Sequence, residues 1–156
     1  METVLFLAKR AKVMLTKKLW QEAGLVDGIR GEVVEIVFAE GAPAPAPLCY
    51  VVVRFDGYNG PDWSNVKSYR GRVPISPVQS AWSLCGANGE GNTMTRTQLP
   101  LKLCWALTMQ KSQGQTLDKA VINLGKKEVC TGLTSVCLSR VKRIDDLLVT
   151  AIPFDR

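Results

Sequence analysis

Hydrophobic and polar positions alternate in several short stretches of the first two thirds of the chain. Residues 31–38 and 49–55 place β-branched and aromatic residues at near-alternate positions. A period of two in such residues predicts half-buried β-strands. Shorter runs at Val13–Thr16 and Arg72–Ile75 predict two more strands.

Turn-forming residues separate these predicted strands. Residues 41–47 alternate proline with glycine and alanine, Asp56 and Gly57 predict a tight turn, and residues 86–92 form a polar loop. Short strands with Gly/Pro turns and little helical period predict a small β-barrel over residues 24–92.

The pattern changes after residue 93. Leu101–Thr108 is a nearly continuous apolar run, which predicts a strand covered on both faces, and Ala120–Leu124 predicts a second buried strand. Leu133–Val141 predicts a short helix and Leu147–Ile152 a third strand. Strand, loop, strand, helix and strand in this order predict an α/β fold with a parallel sheet.

An α/β pattern at both ends of the chain with a barrel between them predicts an inserted domain. Residues 1–23 and 93–156 would then form one discontinuous domain, and residues 24–92 the insertion. The first strand is expected to lie in the same sheet as the last strands.

Composition limits the possible chemistry. The chain has 156 residues, 46% of them hydrophobic, and a net charge of +6, which is compatible with a polyanionic partner without requiring one. It has no histidine, so Cys/His zinc sites and Ser-His or Cys-His nucleophiles are excluded. Five cysteines without C-x-x-C spacing, and no signal peptide or membrane span, favour reduced thiols in an intracellular compartment.

A polar loop, Thr108–Thr116, follows the predicted strand at Leu101–Thr108. Ligands of open α/β sheets bind where loops leave the carboxyl ends of strands. The loop offers Lys111, Ser112 and the backbone N–H of Gly114 to phosphate oxygens. The alternative is a solvated turn.

A second cationic segment, Leu138–Arg143, ends the predicted helix. Arg140 in this segment could reach a γ-phosphate across an interface. The alternative is a set of cations that favours the negative end of the helix dipole.

A basic run near the N-terminus includes Lys9, Lys12 and Lys17, with Trp20 close by. Such a run could follow the backbone of a single nucleic-acid strand while the aromatic side chain stacks on bases. Equally, lysines guard strand edges against aggregation.

Taken together, these segments resemble the motifs of a known family. Residues 99–117 resemble the fifth helicase motif of Pif-family helicases, which are superfamily-one enzymes akin to RecD, and residues 132–141 resemble their sixth motif. Residues 13–31 resemble the entry into the family's SH3-like insertion. The resemblance implies a second RecA-like domain with an inserted SH3-like barrel.

The resemblance also implies roles for individual residues. Arg140 would be the arginine finger on the γ-phosphate, and Gly114 and Gln115 would lie beside the nucleotide. ATP and Mg²⁺ would be held only together with the first, N-terminal RecA-like domain. The expected partners are that domain and single-stranded DNA, with no membrane, and a eukaryotic protein would act in the nucleus or mitochondrion. The residues expected to contact the DNA strand are Thr108, Gln110, Lys111, Ser112 and Lys17.

Departures from the family pattern limit this interpretation. Gln110 and Ser135 stand where the family usually has histidine and an aromatic residue. The chain contains no G-x-x-x-x-G-K-[ST] motif, so the chain alone is predicted to lack ATPase and helicase activity.

Two other functions remain open. One is a helicase remnant that binds single strands or proteins without catalysis. The other is an SH3-like adaptor for proline-rich peptides, which is disfavoured because sequence spacing does not gather its aromatic residues into one groove. Those residues are Tyr50, Tyr58, Trp63 and Tyr69.

Overall fold

A computed structural model shows two compact units, divided between Trp105 and Ala106. The structure describes residues 5–39, 48–65, 69–85, 91–125 and 130–151. The predicted proline-rich loop, and residues 86–90 of the predicted polar loop, lie outside the described residues. Within the described part of the chain, no helix is long and apolar enough to span a bilayer.

Unit 1 is built on an antiparallel sheet of five strands in the order β4-β3-β2-β1-β7. A separate antiparallel pair, β5 and β6, completes its strands. The strands of unit 1 are β1 (Lys12–Leu15), β2 (Arg30–Phe38), β3 (Leu48–Phe55), β4 (Arg72–Ile75), β5 (Val78–Cys85), β6 (Gly91–Gln98) and β7 (Leu101–Leu103).

The apolar core of unit 1 follows from the predicted alternation. Val13 and Leu15 of β1, Val33 of β2 and Val51 and Val53 of β3 are completely buried in one cluster. These residues are spaced by two along each strand, so they project from one face of the sheet. The strands predicted near residues 13, 31, 49 and 72 are confirmed.

A bulge in β2 resolves an irregularity in its sequence pattern. Val33 and Val34 are adjacent valines in a strand that otherwise alternates. Val33 pairs with Val53 and Glu35 with Val52, so Val34 is the extra residue of a β-bulge. The bulge restores the alternation on both sides and keeps Glu35 on the face opposite the core.

Gly31 is predicted to be intolerant of any side chain. A Cβ at this position would lie 2.7 Å from the carbonyl oxygen of Arg54 and 2.8 Å from Cγ1 of Val53. Replacement by alanine should therefore lower the free energy of unfolding by about 1–3 kcal/mol, the usual cost of overpacking.

Urea denaturation of Gly31→Ala would measure this loss. Gly71→Ala is the control, because Gly71 has a φ of +64° but nothing within 4 Å of an added Cβ. The control should lose only about 1 kcal/mol from backbone strain. Equal losses in the two variants would contradict the steric explanation.

Unit 2 contains a two-stranded parallel sheet. Its elements are a helix α1 (Met109–Ser112), β8 (Ala120–Asn123), a helix α2 (Leu133–Leu138), a 3₁₀ turn (Ile144–Asp146) and β9 (Leu147–Ala151). β8 and β9 pair in parallel. The chain between them includes α2, and parallel strands usually need such a crossover connection. The α/β order predicted for the end of the chain is therefore present.

The place of β1 and the end of β7 differ from the predictions. β1 lies between β2 and β7 in an antiparallel sheet and does not join β8 and β9, so the parallel pairing within the described residues is limited to those two strands. β7 ends at Leu103 and not at Thr108, because the chain bends there and leaves Trp105 68% exposed.

β8 was predicted to be a buried strand, but β8 and its partner β9 are each covered on one face only. Val121 is 69% exposed and Leu148 59% exposed, while Ala120, Ile122, Leu147 and Val149 are partly buried. An apolar sequence thus indicates that a face is suited to burial, but not that this chain supplies the cover.

Candidate phosphate-binding site

The loop predicted to bind phosphate begins with helix α1. Thr108 adopts an extended conformation immediately before the helix, and its carbonyl accepts the backbone N–H groups of Lys111 and Ser112 at 3.0 and 3.1 Å. The Ser112 hydroxyl donates to the carbonyl of Met109 at 2.7 Å. These local bonds set a single helical turn, which presents Lys111 to solvent.

Gly114 reverses the chain after α1. Its φ of +76° lies in the left-handed region, where glycine carries no Cβ penalty. The reversal lets the backbone N–H of Gln115 donate to the carbonyl of Ser112 at 3.0 Å, and its side-chain Nε2 to the carbonyl of Lys111 at 2.9 Å. Gln115 is therefore held back against the helix that it follows.

Arg140 lies just beyond the end of α2 and is held by three hydrogen bonds. Its Nε donates to the carbonyl of Val136 at 2.7 Å, and its Nη2 to the hydroxyl of Ser139 at 2.8 Å. Its Nη1 donates to the carbonyl of Gln115 at 3.3 Å. A guanidinium has five N–H donors, so two remain after these three bonds within the described residues.

A backbone bridge fixes the same two segments. The N–H of Leu117 donates to the carbonyl of Arg140 at 2.8 Å, and Leu117 pairs with Val141 as an isolated parallel bridge. The loop around Gly114 and the guanidinium of Arg140 thus lie on the same rim of unit 2. This geometry comes from main-chain bonds as well as from side-chain contact.

A buried contact joins the two helices beneath this rim. Ser112 of α1 is 7% exposed and Cys137 of α2 is 5% exposed. Burial raises the pKa of the Cys137 thiol, while a hydrogen bond with Ser112 and the nearby charge of Arg140 act to lower it. With its pKa raised, the thiol stays protonated at neutral pH and acts as a packing residue.

The remaining predicted residues differ in their exposure. Thr108, Gln110, Lys111 and Gly114 are exposed, and Gln115 and Arg140 are half-buried. Ser112 is buried, and its hydroxyl donates to the carbonyl of Met109 within α1 and is hydrogen-bonded with the Cys137 thiol of α2. Lys17 is exposed but belongs to unit 1, in the turn after β1.

The site offers donors to an anion but no ligand set for a metal. Within the described residues, no group of three or more His, Cys, Asp or Glu side chains is arranged to hold a metal ion. Arg140 and the exposed Lys111 supply the positive charge of unit 2 near the loop. Such cationic groups are of the kind that can stabilise phosphate oxygens electrostatically.

Sequence spacing missed a cluster of aromatic residues in unit 1. The ring of Trp63 makes edge-to-face contacts with Tyr50 and Tyr69, with centroid distances of 6.3 and 5.3 Å. The hydroxyl of Tyr58 donates to the carbonyl of Pro61, and the ring contacts among the described residues do not include Tyr58. The ring contacts of Tyr50, Trp63 and Tyr69 remove, for these three residues, the reason for which an SH3-like adaptor for proline-rich peptides was disfavoured.

Comparison with known proteins gives a consistent relationship. No family model matches the chain. The ATP-dependent DNA helicase PIF1 of Homo sapiens is 36% identical over 141 residues, which cover 89% of this chain and 18% of the relative. The chain thus spans less than a fifth of the length of this curated relative.

Two solved structures extend the relationship to the fold. Pif1 helicase from Candida albicans is 29% identical with a TM-score of 0.68, covering 97% of this chain and 34% of that chain. Bacteroides Pif1 bound to ssDNA is 25% identical with a TM-score of 0.63, covering 94% and 30%. The chain is therefore a homologue of one segment of the Pif1-family ATP-dependent DNA helicases, which are longer proteins.

Proposed function

We propose that this chain is the C-terminal part of a Pif-family helicase and supplies the arginine finger and the segment that couples ATP to single-stranded DNA. The observation that carries the proposal is the hydrogen bond from Arg140 to the carbonyl of Gln115, 3.3 Å long. It joins residues near the ends of the two resembled motifs within one compact unit.

Arg140 is suited to act as the finger. Its side chain is oriented by three acceptors, so little further ordering is needed before two free N–H groups meet an oxyanion. A guanidinium binds phosphate oxygens in a forked geometry and keeps its charge at every physiological pH. An arginine in this role stabilises the charge that develops as the γ-phosphoryl group is transferred.

Gly114 and Gln115 are proposed to lie beside the nucleotide. Gly114 is exposed and would accept a close approach, because it carries no side chain that could obstruct the ligand. The side chain of Gln115 donates to the carbonyl of Lys111 in α1, and the carbonyl of Gln115 accepts a hydrogen bond from Arg140. A ligand that draws Arg140 outward would therefore release the carbonyl of Gln115 and alter the loop.

Thr108, Gln110 and Lys111 are proposed to contact the phosphates of a single strand, with Ser112 holding the helix that carries them. Bacteroides Pif1, whose fold this chain shares, is bound to ssDNA in its solved structure. The buried contact between Ser112 and Cys137 connects α1 to α2, and α2 leads into Arg140. A displacement of α1 by DNA would thus be transmitted to Arg140, and a displacement of α2 would be transmitted to the residues proposed to contact the DNA.

The proposal requires a second domain. Residues 1–23 and 93–156 are proposed to belong to the second RecA-like domain and residues 24–92 to an SH3-like insertion, whose support is the run of antiparallel strands β2, β3 and β4. The compact units divide elsewhere, because β1 and β7 pair in the same sheet as these strands and unit 1 extends to Trp105. ATP and Mg²⁺ would be gripped by the first RecA-like domain. Within the described residues, no group of three or more His, Cys, Asp or Glu side chains is arranged to hold a metal ion.

A salt titration tests the proposed contact with the DNA strand. Lys111→Gln should weaken binding to a single-stranded oligonucleotide and lower the slope of log Kd against log salt by about 0.7, the value for one lost phosphate contact. Fluorescence anisotropy at several salt concentrations would measure the slope.

Lys119→Gln is the matched control, since Lys119 is an exposed lysine of unit 2 outside the motif. It should leave both affinity and slope unchanged. If both variants lower the slope equally, binding reflects the net positive charge of the surface, and α1 is not the DNA contact.

A further inference from the structure

We propose that unit 1 carries a second contact for single-stranded nucleic acid, at which a base stacks on Trp63 and phosphates meet neighbouring arginines. The surface is formed by Tyr50, Trp63, Tyr69, Arg54 and Arg72, and is here called the aromatic–arginine face. The choice of nucleic acid as ligand rests on the proposed function, while the surface itself rests on the geometry of unit 1.

Three residues of this face, Tyr50, Arg54 and Arg72, lie on strands and project from the side of the sheet opposite the core, while Trp63 and Tyr69 belong to the segment between β3 and β4. On β3, Val51 and Val53 belong to the core cluster, so Tyr50 and Arg54 point the other way. Arg72 of β4 is directly opposite Arg54 in the antiparallel register and shares its face. A single sheet surface thus places aromatic and cationic groups next to each other.

Trp63 is the ring available to a ligand. It is 43% exposed and lies at 76° to the ring of Tyr50 and 64° to that of Tyr69. These edge contacts orient the indole before any ligand binds, so stacking would cost little side-chain entropy.

Tyr69 is already committed on two sides. Its hydroxyl donates to Oε2 of Glu35 at 2.8 Å, and the guanidinium of Arg72 lies 5.9 Å from its ring centroid. A cation at this distance from a ring is attracted to the π-system. Tyr69 therefore acts as a support that positions both Trp63 and Arg72.

The charges of the face favour an anionic partner. Arg54 and Arg72 are like charges directly opposite each other, an arrangement that destabilises a sheet. Glu32 is 3.7 Å from Arg54 but is bonded more closely to Lys12, at 2.6 Å. A phosphate near the arginines would relieve their repulsion, whereas a neutral proline-rich peptide would not.

The test uses the full chain and a fluorescently labelled oligodeoxythymidylate of about 16 nucleotides, a length that spans a large single-strand site. Trp63→Ala should weaken binding by about tenfold or more, since a stacked base contributes strongly. Trp82→Ala is the matched control, because Trp82 is also 43% exposed but lies on β5, and it should bind as the unsubstituted chain does. An abasic strand of equal length should bind both variants alike.

A second variant keeps the proposal testable if Trp63→Ala does not fold. Arg72→Gln retains all three rings and should lower the salt slope by about 0.7. Equal effects of the two tryptophan substitutions, or an unchanged slope in Arg72→Gln, would overturn the proposal. So would a proline-rich peptide that binds in a Trp63-dependent way while oligonucleotide binding does not depend on Trp63.

The two proposals fail in different ways. If the unsubstituted chain binds no oligonucleotide, the proposed contact at α1 fails together with this one. If binding is weakened by Lys111→Gln but is insensitive to Trp63→Ala and Arg72→Gln, only the aromatic–arginine face is refuted.

Discussion

Replacing Arg140 by alanine should lower ATP hydrolysis by about 10³–10⁵-fold in a protein that joins this chain to the P-loop part of a Pif1 relative. The reason is the loss of the Arg140 guanidinium, which donates to the carbonyl of Gln115 in the Gly114 loop. The assay would use a chimera in which this chain replaces the matching 141-residue segment of human PIF1.

Arg143→Ala is the control for this variant. The side chain of Arg143 is 74% exposed and pairs with Asp145 at 3.2 Å. It should hydrolyse ATP at close to the chimera's rate. Single-stranded DNA binding should survive in Arg140→Ala, so a parallel loss of binding and hydrolysis would indicate misfolding and contradict a finger role.

The isolated chain should show no MgATP-dependent turnover at all. Its sequence has no phosphate-gripping G-x-x-x-x-G-K-[ST] motif, and an arginine finger only stabilises a transfer that another group must align. A coupled phosphate-release assay on the pure polypeptide, with and without an oligonucleotide, would measure the rate.

The same assay on the unsubstituted chimera is the positive control and should show turnover. Turnover by the isolated chain that persists in Arg140→Ala would mean a contaminating enzyme. Turnover that disappears in that variant would mean that this chain holds ATP by itself, and the proposed division between two domains would be wrong.

The strands of the core were predictable because burial repeats every two residues. In β3, Val51 and Val53 follow this period and lie in the core cluster, while Val52 is buried on the opposite face. The β-bulge at Val34 accounts for the two adjacent valines in β2. β6 was missed although Thr93, Thr95 and Thr97 alternate along it. Threonine favours strands through its branched Cβ, but its polarity hides that preference from a search for apolar residues.

Sheet membership could not be read from the sequence in the same way. The apolar runs at β7 and β8 look alike, yet β7 joins β1 in an antiparallel sheet and β8 pairs in parallel with β9. Pairing depends on contacts between residues far apart in the chain, which a local pattern does not encode.

The candidate site divides along similar lines. The residue types of the loop around Gly114 and of the cationic end of α2 made both segments candidates for phosphate binding. The family resemblance implied that the two segments act on the same nucleotide. The burial of Ser112 was not foreseen, because it depends on Cys137 of another helix. The aromatic–arginine face was also missed, since Tyr50 and Trp63 are brought together only by the fold.

The central claim is that Arg140 meets the γ-phosphate of a nucleotide held by another domain. A crystal structure of the chimera with ADP and aluminium fluoride would test it most directly. We expect a guanidinium nitrogen of Arg140 to lie about 3 Å from a fluoride of the transition-state mimic. A guanidinium still bonded to Val136, Ser139 and Gln115, and out of reach of the mimic, would contradict it.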